Sequence, residues 1–534
     1  MKFSNTYLNL GDAFFQRVLP EEALSPELLL WNTNLADKLL ISKKLQTDKE
    51  LLAQYFSGNK LPAGAETVAL AYSGHQFGHF NPQLGDGRAH LLGEVIDEDN
   101  VRHDLQLKGS GQTKYSRRGD GKCALAPALR EYIMSEALYA LGVPTTRCLS
   151  VVATGEVINR GIAKHGAVVT RTAASHIRVG TFQYVAVFGD ISSLKQLLDY
   201  TIKRHFPALN KSRVVQNLAF DDVVLSFLEH ALDKQITLIT EWLRIGFIHG
   251  VMNTDNTAIS GETIDFGPCA MMGNYDKNAV FSSIDEYGRY AFGKQAHIAQ
   301  WNMARLADCL LPLLIEYYST LEPVDSSEKI LKEKAINKVE AVIHQYSQKF
   351  DSAYYAMYAQ KLGFGDEIAN EYRARCESLT DELLEIMQTH GLDYTQTFHA
   401  LTISLAEPLK SGGKVKKLTE KLNVKLGTWQ QTWHVLLEKI HNCEQLSYSE
   451  QAHAIMTKAN PVVIPRNHHV EALLERCEQA LSNDISQSNY DVINELLGEF
   501  ISVLGSPYNA LDATSKYQDA AVDGDKYYRT FCGT

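Results

Sequence analysis

The sequence predicts an α+β chain in which a mixed strand–helix region is followed by a larger helical region and then a helical C-terminal extension. Three observations predict it. Residues 65–185 are rich in glycine, short β-branched runs and turn signals. One strongly periodic helix lies among those runs. From about residue 190 the apolar spacing becomes helical and stays so. The predicted division is an N-terminal segment over 1–64, the mixed lobe over 65–185, a helical lobe over 186–290 and the extension over 291–534.

Each element has its own signal. His90–Val95, Asp104–Leu107, Leu149–Ala153 and Ala167–Thr170 read as strands. Between them Leu129, Ile133, Ala137 and Leu141 recur every four residues; Pro127 suits the first helical position and Gly142 stops the helix. Leu331, Ala335, Val339, Val342 and Tyr346 follow helical spacing, as does Leu306–Leu314. Thr380–His390 reads as a helix closed by Gly391. Pro323–Lys329 is the nearest thing to a linker.

With 45% hydrophobic and 22% charged residues, the composition is that of an ordinary globular protein. A formal net charge of -11 argues against general binding to nucleic acid or anionic membrane. No apolar run is long enough to span a bilayer, and Met1–Asp12 has no signal-peptide pattern; a cytoplasmic location is expected. The eight cysteines are scattered with no CxxC pair, which excludes a zinc ribbon and speaks against a disulfide framework.

The charge balance inverts over residues 101–130, which hold seven Lys or Arg against two acids. Such an island fits a phosphate site and fits a solvated strip equally well. Just upstream lies Gln83-Leu-Gly-Asp-Gly-Arg88. Gly85 and Gly87 would let backbone approach a phosphate that Arg88 neutralises, or would simply make a hairpin turn. Lys108 follows a predicted strand, and Glu131 comes 23 residues later on the predicted helix. Arg171 and Arg178 follow another strand, placed either to clamp a triphosphate or to form surface ion pairs.

The decisive cluster is His249-Gly-Val-Met-Asn-Thr-Asp-Asn256 followed by Asp265-Phe-Gly267. Kinase catalytic loops run His-x-Asp-x-x-x-x-Asn, with a later Asp-Phe-Gly that holds metal. A glycine turn, strand lysine, helix glutamate, His–Asn loop and Asp-Phe-Gly in this order predict a protein-kinase-like two-lobed fold with a helical C-terminal extension. Asn256 and Asp265 offer the oxygen ligands that magnesium prefers. Val251 occupies the place of the kinase catalytic aspartate and cannot accept a proton. Asp255 is the nearest carboxylate that could act instead, or it braces the loop.

Taken together, Tyr72-Ser-Gly-His-Gln-Phe-Gly78, Pro82-Gln-Leu-Gly-Asp-Gly-Arg-Ala89, Leu105-Gln-Leu-Lys-Gly-Ser-Gly111, Tyr115-Ser-Arg117, Gly119-Asp-Gly121, Ser175-His-Ile-Arg-Val-Gly-Thr-Phe182, the 249–256 loop and Ile464-Pro-Arg-Asn-His468 resemble the SelO (selenoprotein O, or YdiU) family over nearly the whole chain. The resemblance implies a kinase-like protein adenylyltransferase that uses ATP and Mg2+ or Mn2+ to place AMP on Ser, Thr or Tyr of proteins. ATP would bind flipped, with its γ-phosphate deep. By motif, Gly85, Gly87, Arg88, Lys108, Asp120, Gly121, Arg171, Arg178 and Asp265 would contact the nucleotide. Asn256 and Asp265 would hold metal, Asp255 would take the proton and Glu131 would brace Lys108. Some members are described as using UTP with manganese. Some relatives join a cysteine after the metal loop to a C-terminal cysteine; here that position is Phe281, leaving Cys532 with Cys269 as a conceivable partner or as a free thiol. Conventional phosphoryl transfer and a non-catalytic nucleotide-binding scaffold are the alternatives. Acceptor identity and oligomeric state are not written in the sequence.

Overall fold

A computed structural model describes residues 1–323, 327–406, 422, 424–441, 446–481, 487–509 and 516–531. Eleven strands precede residue 175: β1 (Phe3–Ser4), β2 (Phe15–Arg17), β3 (Glu27–Trp31), β4 (Val68–Leu70), β5 (Gly74–Gln76), β6 (His79–Asn81), β7 (Ala89–Ile96), β8 (Arg102–Lys108), β9 (Cys123–Ala124), β10 (Arg147–Asn159) and β11 (Ala163–Ala173). All except β5 and β6 join one antiparallel sheet in the order β2-β4-β7-β8-β11-β10-β3, with β1 on β7 and β9 on β11. The four strands predicted from sequence form its centre.

Alternation along the strands divides two cores. Leu92, Leu105, Leu107, Leu149, Val152 and Val168 point to one face. There they meet helices α1 (Thr33–Lys38), α2 (Lys43–Gln46) and α3 (Lys49–Ser57), whose Leu35, Leu52 and Phe56 are buried against them. The opposite face carries Leu91, Val151 and Val169 and packs on α4 (Leu125–Ala140). Helix α4 starts two residues before Pro127. Proline is tolerated there because the first helical N–H groups have no intrahelical partner. Gly142 (φ +82) ends it as expected.

Residues 1–64 thus supply strands β2 and β3 as well as the helices of one face. Beyond the sheet come α5 (Val179–Phe188), α6 (Ile191–His205), α7 (Pro207–Val215) and α8 (Phe220–Ile245). Gly246 (φ +77) closes α8 and leads into a small pair of strands, β12 (Phe247–Ile248) and β13 (Ala270–Met271). These two strands flank the 249–268 segment. The extension carries α9 (Gln295–Leu321), α10 (Glu328–Lys361), α11 (Asn370–His390) and α12 (Tyr394–Ser404), then helices over Thr428–Ile440, Tyr448–Ala459, Asn467–Leu481 and Gln487–Leu504. Among the described residues the protein is a mixed α/β molecule with a helical C-terminal region, and no helix is long and apolar enough to cross a membrane.

Candidate active site

Strand β8 sets the site by its alternation. Leu105 and Leu107 enter the apolar core, so Asp104, Gln106 and Lys108 share the other face. Arg171 stands directly opposite Gln106 on β11, and α4 lays Glu131 over the same face. Lys108 Nζ donates to Glu131 Oε2 at 2.6 Å and to Asp265 Oδ1 at 2.6 Å. Arg171 Nη1 lies 3.4 Å from both Glu131 Oε1 and Asp265 Oδ1. Two cations and two carboxylates therefore form a closed square, buried except at Asp265, which is partly exposed. Burial acts to raise the Asp265 carboxyl, but the charges of Lys108 and Arg171 outweigh it and hold the group well below the ordinary carboxylate range. Burial likewise opposes the Lys108 charge, and Asp265 and Glu131 overcome it.

Breaking such a buried arrangement leaves an unpaired charge. Glu131→Gln is expected to cost about 3–5 kcal/mol of stability. Chemical denaturation should show a lower midpoint with an unchanged slope.

The 249–256 segment is held from behind. His249 is buried, and its Nε2 lies 2.8 Å from the Ile264 carbonyl. Asn256 Nδ2 donates to Val251 O at 3.0 Å. Asp265 adopts φ +66, a left-handed conformation unusual outside glycine. A cavity of about 70 Å³ opens between the two segments, and Arg88, Lys108, Glu131, Val251, Asn256 and Asp265 line it. The described residues contain no cluster of three or more His, Cys, Asp or Glu that would cage a metal alone. Asn256 and Asp265 supply two hard oxygen groups at one wall, a donor set that suits magnesium or manganese when phosphates and water complete the shell.

Asp255 is placed differently from Asn256. It does not line that cavity; its carboxyl lies under the β5–β6 hairpin. Gln76 Nε2 donates to Oδ2 at 3.1 Å, while Oδ1 is buried without a hydrogen-bond partner. A Cβ on Gly74 would come within 2.5 Å of Oδ1. Burial pushes the Asp255 carboxyl up to about 6, against the lowering effect of its hydrogen bonds and of Arg178. The hairpin turns through Phe77 (φ +52) and Gly78 (φ +87), as a type I′ turn requires. Phe77 N donates to Asn253 Oδ1 at 3.1 Å, which fixes the turn to the catalytic-type loop. Arg178 is 1% exposed. Its Nη1 donates to Asp255 O at 3.0 Å, its guanidinium lies 4.2 Å from the Tyr72 ring, and its Nη2 has no hydrogen-bond partner.

The glycines have packing roles here. The Tyr115 ring occupies the space a Cβ on Gly85 would need, and Tyr115 O lies 2.8 Å from the Cβ position of Gly87. Ser116 Oγ donates to Gly87 O, and Thr113 Oγ1 donates to Asp86 O at 2.8 Å. The 85–87 turn is thereby stapled to the 113–116 loop. Gly121 (φ +70) backs directly on Gly111. Asp120 makes a two-pronged pair with Arg160 at 2.7 and 2.8 Å. The basic island disperses: Arg102 pairs with Glu94, Lys122 with Glu21 and Glu156, and Arg130 with Glu471. Lys108 is the member of the island that lines the cavity.

Comparison with known proteins gives the family. The family described as "Protein adenylyltransferase SelO" matches residues 1–497. The chain belongs to the SelO family. It is 45% identical over 534 residues to the protein nucleotidyltransferase YdiU of Teredinibacter turnerae, with 100% of both chains covered. It is 45% identical over 535 residues to the YdiU of Pseudoalteromonas translucida, again across 100% of each. The YdiU of Geobacillus kaustophilus is 42% identical over 533 residues, covering 100% of this chain and 99% of that one. As a SelO member the chain is a nucleotidyltransferase.

Several residues of the candidate site escaped sequence reasoning. Asp86 accepts from Gln106 Nε2 at 2.8 Å and from Leu70 N at 3.2 Å, and Arg178 Nη2 lies 3.9 Å from it. Gln106 in turn accepts from Arg171 Nε at 2.8 Å. An Asp–Gln–Arg chain thus aligns the buried arginines. Its sequence signal was the period-two run of polar residues through Asp104, Gln106 and Lys108 in an otherwise apolar strand. Of the cysteines, Cys269 is a free, fully buried thiol that burial pushes up to about 11, and Cys532 lies outside the described residues. Phe281 meets the chain's end without a disulfide: its ring lies 5.8 Å from that of Tyr528, and its carbonyl accepts from Thr530 N at 2.8 Å.

Proposed function

We propose that this enzyme transfers AMP from ATP to Ser, Thr or Tyr hydroxyls of proteins and releases pyrophosphate, with ATP flipped relative to kinases in a kinase-like two-lobed fold. In this reading 65–185 forms the nucleotide lobe, 186–290 the catalytic lobe and 291–534 a packed extension. The observation that carries it is the apolar Val251 in the cavity wall, where a phosphotransferase would need a carboxylate, combined with cations buried deeper than Lys108. Arg171 and Arg178 are 3% and 1% exposed, and fixed positive charge in so dry a place stabilises an anion strongly. A deep γ-phosphate answers to both, and the α-phosphorus then lies toward the acceptor.

The acceptor hydroxyl oxygen attacks the α-phosphorus, the bond from that phosphorus to the β-phosphate bridging oxygen breaks, and pyrophosphate departs. Asp255 takes the hydroxyl proton. Lys108, held by Glu131, neutralises phosphate oxygens together with Arg88. Gly85 and Gly87 keep the 85–88 turn close to the nucleotide. Asp120 and Gly121 are assigned to the nucleotide on family resemblance alone. Magnesium or manganese held by Asn256 and Asp265 would add charge neutralisation at the triphosphate. Transfer of this kind is mainly positioning and electrostatics.

ATP carrying isotope on the α- or the γ-phosphate tests the reading. Only α-label should reach the acceptor, with an AMP-sized increment in intact mass. Transfer of γ-label alone would establish phosphoryl transfer instead.

A further inference from the structure

We infer that the acceptor protein docks in the pocket between the β5–β6 hairpin and the 284–298 segment, which selects an acidic side chain near the modified hydroxyl; this rests on the AMP-transfer reading above. The pocket has a volume of about 640 Å³; Phe77, Ile284 and Tyr287 form apolar walls, and the acids Asp285 and Glu286 line it together with the bases Arg289 and Lys294. None of these lines the cavity around Lys108 and Asp265, so the two openings serve different molecules. The hairpin joins them: Gln76 holds the Asp255 carboxyl, and the next residue, Phe77, is pocket wall.

Apolar side chains at and beside the pocket are exposed. Tyr287 is 90% exposed, Ile284 49% and Phe80, on the same hairpin, 41%. Large hydrophobic groups clustered on a polar-rimmed surface mark a protein contact. The lining holds two acids and two bases, and the sign of the occupant rests on one of them, the Arg289 guanidinium. Arg289 packs over Gly78, with its guanidinium carbon 4.8 Å from the Trp301 ring and 5.7 Å from the Tyr290 ring. Among the described residues Arg289 makes no ion pair, and its Nε is buried without a hydrogen-bond partner. The adjacent Asp285 carboxylate is taken up by its own loop, accepting from Arg289 N at 2.8 Å and Tyr290 N at 2.7 Å. Lys294 Nζ donates to a carbonyl, Gly288 O at 2.8 Å, and among the described residues makes no ion pair. A stacked guanidinium is already held in place, and its fork matches a carboxylate. An extended peptide advances about 3.3–3.6 Å per residue, so an Asp or Glu within about four positions of the hydroxyl would reach Arg289.

Random copolymers poly(Glu,Tyr) and poly(Lys,Tyr), offered with α-labelled ATP, are the probes. The protein should label poly(Glu,Tyr) with a kcat/KM about tenfold above that for poly(Lys,Tyr), the difference lying mainly in KM. Arg289→Glu combined with Lys294→Glu should bring the preference to parity or reverse it, whereas Arg289→Lys should keep most of it. Damage to the fold would lower both copolymers together and could not reverse their order. Equal labelling by the unaltered protein, a preference that survives charge reversal, or failure to label either copolymer while the enzyme labels itself would each overturn the docking site. If no α-label moves anywhere and γ-label does, the AMP-transfer reading falls, and the inference falls with it.

Discussion

Asp265→Asn should lower AMP transfer by about 10²–10³-fold while leaving nucleotide binding without metal intact or tighter. Asp265 touches both Lys108 and Arg171 and lines the cavity, as Glu131 does, but of the two carboxylates it is the one that shares a wall with Asn256. Asparagine is nearly the same shape but carries no charge. The variant loses the one anionic oxygen ligand of the proposed metal pair, and hard divalent cations depend on carboxylate charge. In the same step Lys108 and Arg171 are left facing Glu131 alone, so the floor of the site becomes more positive. These effects have opposite signs for metal and for free triphosphate.

Titration calorimetry of ATP with and without magnesium separates them. The unaltered protein should bind ATP more tightly when metal is present, and Asp265→Asn should lose that gain without losing ATP. A variant that kept both its metal response and its transfer rate within tenfold would show that Asp265 serves only to hold Lys108. Loss of ATP binding in the absence of metal would mean that the square of charges, not the ligand set, is what the substitution broke.

How far the sequence foretold this site depended on whether a residue's partner was near it in the chain. Asn256 and Asp265 were legible because one loop carries both at fixed spacing. Lys108 and Glu131 were legible because a strand and the helix after it must pack together. Asp86 and Gln106 were not, because their roles come from a hydrogen-bond chain linking β4, β8 and β11, which only the folded sheet assembles. Gly85 and Gly87 gave a correct sign of close approach but did not say what approaches; within the fold it is Tyr115 and Ser116. The basic island left its two readings open for a similar reason, since Glu21 and Glu471, which pair with Lys122 and Arg130, come from distant segments. Strands β7, β8, β10 and β11 carry long β-branched or alternating runs and were visible. The short β2 and β3 were not, because three to five residues give too few alternations to register against their neighbours.

Asp255 yields the second large expectation, and its sign can be worked out from burial alone. A base acts only when deprotonated. With its carboxyl pushed up to about 6, kcat/KM should fall on the acid side with an apparent pKa about two units above that of an ordinary aspartate. Asp255→Asn should abolish that limb and lower the rate by about 10²–10⁴-fold. ATP and metal binding also titrate in weak acid, so the decisive comparison is the profile of the variant: a limb that persists in Asp255→Asn belongs to another group. Stability should move the other way. A folded-state pKa above the unfolded value favours the fold below the unfolded pKa, and that advantage is lost as pH rises through about 6. Above it, the folded protein carries a buried carboxylate whose Oδ1 has no donor, and the variant does not. Asp255→Asn should therefore match the unaltered protein in very acid solution, where the aspartic acid is neutral too, and should gain up to about 3 kcal/mol relative to it by neutral pH. A catalytic group that destabilises its own fold is what an active-site base looks like, whereas a loop brace would cost stability when removed. If Asp255→Asn proved less stable at neutral pH with an unchanged acid limb, the brace would be the right description, and the proton would have to leave by another route.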